Sequence, residues 1–166
     1  MIRRPPRSTL SSSSAASDVY KRQAFVLMSE TEVKRRGLEP LAYLKEWSHT
    51  ADDPRIPPKC GTAAFKNCLV KAGLTVEDIG LFEIQEAFAS QCLYNIRTVG
   101  IPIELYDRIN VNGSGIALGH PLGATLALRV TALLHEMNKR NVRYGIVGTP
   151  GAGGVACVGL FERDIN

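Results

Sequence analysis

Short apolar runs alternate along this chain with segments in which apolar residues recur at helical spacing. Runs that are continuously apolar, or that alternate with polar residues, favour strands, and a single apolar stripe favours a helix. On this pattern we predict strands at 24–28, 41–47, 80–84, 109–111, 143–149 and 155–162. We predict helices just after Ser29 and over 59–72, 86–100 and 120–140. The alternation of the two kinds of element indicates an α/β fold.

The first helix carries the clearest local signals for its two ends. Ser29 followed by Glu32 is the pattern of a capping box, and Gly37 is typical of the residue that ends a helix. A polar, proline-rich segment at 48–58 predicts a loop before the next helix. We see no internal repeat in the remainder of the chain.

Composition places the chain among globular proteins of about one domain. It has 166 residues, of which 45% are hydrophobic and 22% charged. No apolar run approaches the roughly 18 residues that a membrane span needs. The net charge of +4 comes from residues 1–23, with five basic side chains and one acidic, whereas the rest has 15 of each sign. The charge therefore gives no reason to expect nucleic acid as a partner.

Residues 1–23 differ in composition from everything that follows. The segment is rich in arginine and serine, which fits an organelle transit peptide superficially. It resembles translated sequencing-adapter sequence more closely, and over its whole length. We therefore expect an artefactual leader at 1–23, disordered because it has little apolar surface to bury, and a domain at 24–166. On this interpretation the natural upstream sequence is missing.

The four cysteines do not have the spacing of metal ligands. Cys60, Cys68, Cys92 and Cys157 form no CxxC pair and lie in apolar surroundings. We predict buried free thiols, as in a reducing compartment, and no metal site.

The segment 113–124, GSGIALGHPLGA, combines four glycines with one histidine. We predict His120 at the start of the helix over 120–140, with Pro121 as its first helical residue. The partial positive charge of a helix N-terminus favours a neutral imidazole, which can accept a proton from a thiol. The alternative is a histidine that caps a turn. His49 and His135 lack such a setting and are expected at the surface.

Two further segments are candidates for chemistry. The glycine loop at 146–154 exposes backbone N–H groups that could bind a phosphate, but it lacks GxGxxG spacing and leads into a strand. Nucleotide binding is therefore a remote alternative. Gln85 and Glu86 stand where a predicted strand passes into a helix, and the alternative for them is an ordinary capping pair.

Three ordered motifs together resemble the C-terminal half of thiolases, most closely the long-chain 3-ketoacyl-CoA thiolases. They are QEAFA at 85–89, GHPLGA at 119–124, and RYGIVG followed by GVACVGLFER at the end of the chain. The resemblance covers residues 24–163. It implies a mixed sheet of roughly five strands with helices on both faces, the long helix over 120–140 packing against the sheet.

The resemblance also implies a reaction. Thiolases cleave 3-ketoacyl-CoA with CoA or condense two acyl-CoA molecules, without a metal or redox cofactor. A cysteine in the N-terminal half takes the acyl group, and the histidine that corresponds to His120 activates it. The motif asparagine, here Gln85, holds a water of an oxyanion hole. Gly119, Pro121 and Gly151 fall among substrate-binding positions. The family forms homodimers or tetramers and occurs in peroxisomes, mitochondria or cytosol.

The sequence departs from the family at two positions. Gln85 replaces asparagine and is longer by one methylene. Pro150 stands where the family has a second cysteine, which moves the proton of the α-carbon, and proline has neither a proton to exchange nor an N–H. Ala152 occupies the position of a backbone oxyanion donor. We do not expect Cys157, seven residues beyond Pro150, to replace the missing thiol.

Two classes of function follow. In the first, the chain is a fragment of an acyltransferase of this family, inactive alone. In the second, it is a catalytically degenerate relative with a binding or assembly role. The intact His120 favours the first, and Gln85 with Pro150 favours the second.

Overall fold

A mixed four-stranded sheet organises the chain. The computed structural model describes residues 24–164. The strands are β1 (Tyr43–Ala51), β2 (Leu81–Ile84), β3 (Tyr144–Gly151) and β4 (Val155–Glu162). Their order across the sheet is β1-β4-β3-β2. β4 pairs antiparallel with both β1 and β3, whereas β2 and β3 run parallel. The α/β class predicted from the pattern is confirmed.

Helices cover both faces of this sheet. They are α1 (Glu30–Arg36), α2 (Pro57–Ala72), α3 (Ala89–Val99), α4 (Gly115–Leu118) and α5 (Thr125–Lys139), with a short 3-10 helix at Ile103–Arg108. α2 and α3 share one apolar cluster with Ile146 and Val158 of the sheet. α5 packs on the opposite face, where its Leu133 and Met137 meet Leu81 and Val147. The prediction of helices on both faces is confirmed.

Two of the six strands predicted from the pattern are not formed, and the resulting four-stranded sheet is close to the roughly five strands that the resemblance implies. The segment 24–28 is non-helical and unpaired, and Val26 and Leu27 are 85% and 81% exposed. The segment 109–111 contributes only one bridge, between Ile109 and Phe82. Apolar runs predict burial, but a strand also needs a neighbouring strand, and a local pattern does not show one.

Several element ends also differ from the prediction. β1 runs on to Ala51, through residues predicted as loop, because it pairs with β4 as far as Val155. α3 begins at Ala89 and not at 86. The largest shift concerns the helix predicted over 120–140, which begins only at Thr125. Pro121 is therefore not its first residue; its carbonyl accepts hydrogen bonds from the backbone of the turn before the helix.

The signals at the ends of the first helix are largely confirmed. The Ser29 side chain accepts from the Glu32 backbone N–H at 3.3 Å, and Gly37 adopts φ +61°. The second half of the capping box is absent, since the Glu32 carboxylate bonds to Arg35 and Arg36.

The thiols are free, as predicted. Cys60, Cys68 and Cys92 are buried, whereas Cys157 is only partly buried. Burial raises the pKa of Cys68 and of Cys92 to about 11, so neither is a ready nucleophile. None of the helices within residues 24–164 is long and apolar enough to cross a membrane. The predicted leader at 1–23 lies outside the described residues.

Candidate active site

Gln85 and Glu86 lie at the sheet edge where β2 and β3 both end. Ile84 pairs with Gly148 in the parallel register, and the Gln85 backbone N–H donates to the Gly148 carbonyl at 3.0 Å. Because the carboxyl ends of parallel strands lie at one edge, the topology brings the QEAFA segment and Pro150 to the same edge of the sheet. Two of the three sequence motifs therefore meet there.

Glu86 ties this edge to the glycine loop that leads to His120. One carboxylate oxygen accepts from the Ile116 backbone N–H at 3.1 Å, and the other accepts from Asn110 Nδ2 at 3.0 Å. The Ser114 hydroxyl adds a bond to the Ile84 carbonyl at 3.0 Å. Glu86 is thus not part of an ordinary capping pair, since α3 begins three residues later, after Phe88.

Asn110, which was not among the candidate residues predicted from the sequence, holds the two segments in register. Its side-chain oxygen accepts from the Ile84 N–H at 2.7 Å, and its amide nitrogen donates to the Ile84 carbonyl at 2.9 Å. Its φ is +48°, a conformation that asparagine tolerates better than most residues. An asparagine just before a glycine-rich segment was the signal that could have indicated this role.

The amide of Gln85 is completely buried and only half satisfied. Its oxygen accepts from Arg129 Nε at 3.3 Å, whereas its nitrogen has no partner within residues 24–164. A Cβ at position 115 would lie only 2.4 Å from that nitrogen. Glycine is therefore required at 115, and the unpaired donor faces the backbone of the glycine loop.

Glu83 and Arg129 add two buried ionisable side chains beside this amide, and neither was singled out from the sequence. Each is 2% exposed. Burial raises the pKa of the Glu83 carboxyl to about 7, although the nearby Arg129 charge acts in the opposite direction. Burial also lowers the pKa of Arg129. One oxygen of Glu83 has no hydrogen-bond partner among the described residues.

His120 is exposed in the loop before α5, so the argument from a helix N-terminus does not apply to it. Its Nδ1 lies 2.7 Å from the Thr125 hydroxyl oxygen, and that hydroxyl donates to the Pro121 carbonyl at 3.1 Å. A hydroxyl has one proton, so Thr125 then accepts from Nδ1–H. In the neutral ring this leaves Nε2 as the atom with a free lone pair, as a general base requires.

α5 connects His120 to the amide of Gln85. Thr125 contacts His120, and Arg129, four residues further, contacts Gln85. Residues four apart lie on one helix face, about 6 Å apart along the axis. The histidine loop and the QEAFA segment are thus anchored to neighbouring positions on the same face of α5.

The second glycine loop is a hairpin turn between β3 and β4, and it leads into a strand as predicted. Ala152 is exposed in the turn, and Gly151 ends β3. The Gly154 carbonyl accepts from the Asp52 N–H at 2.8 Å, and a Cβ at 154 would lie 2.3 Å from the Asp52 oxygen. This close approach, together with φ +77°, explains the glycine without a phosphate.

β3 accommodates Pro150 because the neighbouring strand β2 ends before it reaches this position. Gly148 faces β2, since its carbonyl accepts from Gln85, and residues two apart face the same side of a strand. The missing N–H of Pro150 therefore falls beyond the end of β2 and costs no ladder bond. The backbone at this position is well formed, but the side chain carries no ionisable group.

No group of three or more metal-ligating side chains occurs within residues 24–164. His49 and His135 are exposed, as predicted, and His49 stacks on Trp47. Cys157 pairs with Thr149 in the register of β4 and β3.

The fold and these contacts define an α/β domain in which the His120 loop and the Gln85 segment are both anchored to one face of α5. The family "Thiolase, C-terminal domain" matches residues 38–163, and the chain belongs to this family.

Named relatives agree with this assignment. The beta-ketothiolase BktB of Cupriavidus necator is 41% identical over 140 residues, which are 84% of this chain and 35% of that protein. A 3-ketoacyl-CoA thiolase of Yersinia enterocolitica is 39% identical over 155 residues, 93% of this chain and 40% of that protein. The crystal structure of Bacillus anthracis acetyl-CoA acetyltransferase superposes with a TM-score of 0.76 at 37% identity, covering 81% of this chain and 34% of that one. The chain thus spans 35–40% of the length of these two curated relatives.

Proposed function

We propose that this chain is the C-terminal part of an acyltransferase that cleaves 3-ketoacyl-CoA with CoA, or condenses two acyl-CoA molecules in reverse. The observation that carries the proposal is the unpaired amide donor of Gln85, which is buried and faces the glycine loop before His120. A buried donor without a partner is costly in a folded protein. A buried water held at that point in the complete enzyme would satisfy it.

In this proposal His120 is the base that activates a nucleophilic thiol. The thiol belongs to a cysteine outside this chain, in the N-terminal half of the enzyme. The free lone pair on His120 Nε2 accepts the thiol proton. In condensation the thiolate attacks the thioester carbonyl of an acyl-CoA, the C–S bond breaks, and CoA leaves as a thiol with the proton from the imidazole. In cleavage the thiolate attacks the 3-keto carbon, the bond between C2 and C3 breaks, and the α-carbon of the departing acetyl-CoA takes up a proton. Gln85 holds the water that donates to the resulting oxyanion. Gly119 and Pro121 flank the histidine and line the substrate.

The second half-reaction involves the hairpin turn. The exposed Ala152 supplies a backbone N–H to a second oxyanion, and Gly151 lets the substrate approach the strand end. Proton transfer at the α-carbon is the step for which Pro150 provides no group.

The absence of an ionisable side chain at Pro150 favours a second candidate function. A thiolase-like protein without an acid/base group at position 150 could bind acyl-CoA or assemble with other subunits without completing the Claisen step. It would share the fold and the His120 loop but not the turnover.

The partners in the first proposal are acyl-CoA and CoA, in a homodimer or tetramer. No metal or redox cofactor is needed, since the charge that develops is stabilised by N–H donors. We propose no role in nucleic-acid binding. The compartment, whether peroxisome, mitochondrion or cytosol, depends on the N-terminal part of the protein.

The test joins residues 24–166 to the N-terminal half of an active thiolase. We expect this chimera to be acylated at the cysteine of that half and not to complete the Claisen step. Pro150→Cys should then raise the rate of thiolysis by roughly 10²–10⁴-fold, the usual contribution of a positioned acid or base. Pro150→Ala is the matched control, because it restores the backbone N–H without a thiol.

Three outcomes separate the possibilities. A rise with cysteine but not with alanine supports the enzyme and assigns the defect to Pro150. Turnover of the unmodified chimera near the rate of the active relative shows that another residue carries the proton, and Cys157→Ser would test the first candidate. A folded chimera that is never acylated, even with Pro150→Cys, contradicts the enzyme proposal.

A further inference from the structure

A buried arginine lies against the amide of Gln85, outside the three motifs. Arg129 is on α5, 2% exposed, and its guanidinium makes two hydrogen bonds. Nε donates to the Gln85 amide oxygen at 3.3 Å, and Nη1 donates to the Gly113 carbonyl at 3.1 Å. One side chain thus joins the end of β2 to the start of the glycine loop.

The chemistry of the two groups fixes the orientation of the amide. A guanidinium has only donors, so it accepts no bond from an amide nitrogen. The amide oxygen of Gln85 must therefore face Arg129, and the –NH₂ group must face away. The described structure leaves that nitrogen unpaired, 2.4 Å from the place that a Cβ on Gly115 would occupy. Without the arginine, nothing among the described contacts distinguishes the two ends of the amide.

We propose that Arg129 is a positioning residue of this site: it holds the oxygen of the Gln85 amide so that the N–H groups face the glycine loop as donors. The inference rests on the proposed function, since a donor there is useful only if an oxygen of the reaction, or a water bound to it, is to be held. It also gives a reason to bury an arginine under α5. Glu86, and Glu83 when it is ionised, oppose the effect of this burial on Arg129.

The orientation can be observed in the 166-residue chain without any turnover. The chain has three glutamines, Gln23, Gln85 and Gln91, so labelling glutamine with ¹⁵N gives three side-chain amide signals. We expect nuclear Overhauser contacts from the Gln85 amide protons to the Gly115 α-protons. Gln91 is an internal control, because its amide bonds to Asn95 and to the Ala87 N–H, away from Arg129.

Arg129→Met tests the role of the guanidinium. The variant keeps a long apolar side chain in place and removes the donors. The contacts from the Gln85 amide protons to Gly115 should be lost, while the signals of Gln91 stay unchanged. Arg140→Met is the matched control, because Arg140 lies at the end of the same helix, pairs with Glu136, and should leave Gln85 unaffected. If Arg129→Met does not fold, Arg129→Lys, which keeps the charge but loses the fork of donors, replaces it.

The outcomes decide the inference independently of the enzyme proposal. Loss of the Gly115 contacts in the Arg129 variant alone supports the positioning role. The inference is overturned if those contacts persist in the variant, or if the wild-type amide protons contact the Arg129 side chain and not Gly115. A chimera that is never acylated would contradict the proposed function, while the amide measurement would still report whether Arg129 orients Gln85.

Discussion

The two faces of the sheet bury polar groups in opposite ways. Under α2 and α3, seventeen buried apolar residues form one cluster, and the polar side chains among them are paired. Under α5 the apolar cluster has only five buried members, and Glu83, Gln85 and Arg129 are buried beside it. Both unpaired buried side-chain atoms within residues 24–164 lie on this second face.

This difference separates the part of the molecule that holds the fold from the part that serves the site. An unpaired buried polar group costs about 1–3 kcal/mol, and such exceptions to good packing concentrate at functional sites. The two unpaired atoms belong to Glu83 of β2 and to Gln85 just after it, and the Gln85 nitrogen faces Gly115 in the loop before His120. The α2 face gives the stability that lets the α5 face carry this cost.

Phe65→Ala, on the α2 face, should produce the largest loss in the free energy of unfolding. Phe65 is 1% exposed and packs so closely on β3 that a Cβ at Gly148 would lie 2.6 Å from its ring. We expect a loss of about 3–5 kcal/mol in the free energy of unfolding, measured by urea denaturation. Val70→Ala on the same helix is the control, since Val70 is 79% exposed and should change stability by less than about 0.5 kcal/mol. Similar losses in the two variants would mean that this face is not the principal core.

Local patterns were sufficient for the α2 face. The helix over 59–72 and the strands at 143–149 and 155–162 were predicted within about two residues, because apolar spacing and terminal glycines determine such elements. The segment 24–28 shows the limit of the pattern, since it is apolar yet unpaired. Strand pairing depends on residues far away in the sequence.

The site was predictable only in part for the same reason. The motifs identified the loops of Gln85 and His120, but the contact between Gln85 and Arg129 joins residues 44 positions apart. The role of Asn110 depends on its contact with Ile84, 26 positions away in the sequence. The start of α5 was misplaced because a proline before an apolar stripe resembles a helix start, whereas Pro121 belongs to the preceding turn.

Glu83→Gln should have the next largest effect on the free energy of unfolding, and it should stabilise the protein where Phe65→Ala destabilises it. The pKa of Glu83 is about 7 in the folded protein, against 4.5 for an ordinary carboxyl. Between those pH values the folded state keeps a proton that the unfolded state releases, so stability falls as pH rises from about 4.5 to 7. The total is of the order of 3 kcal/mol, since one pKa unit is about 1.4 kcal/mol. The glutamine variant should lose this slope and be more stable than the parent at pH 8.

Glu162→Gln is the control for that titration. Ion pairs with Lys45 and Arg143 hold the pKa of Glu162 at about 2, so its contribution is lost only as pH falls from about 4.5 to 2. Urea denaturation at a series of pH values distinguishes the two windows. If the slope between pH 4.5 and 7 survives in Glu83→Gln, another carboxyl titrates there, and burying Glu83 on the α5 face has no such cost.

Asn95→Ala should have the smallest of these effects, and it tests whether the polar groups of the α2 face are truly satisfied. Asn95 is fully buried, donates to the Pro58 carbonyl and to the Thr62 hydroxyl, and accepts from Gln91. Removing it leaves the buried Gln91 donor unpaired, so we expect a loss of about 1–3 kcal/mol by urea denaturation. Asn95→Ala with Gln91→Leu should recover part of that loss, because the buried Gln91 donor is then removed, and the Ala87 N–H that loses its acceptor belongs to an exposed residue. Neutral behaviour of Asn95→Ala would mean that water already reaches this chain of bonds, and the contrast between the two faces would disappear.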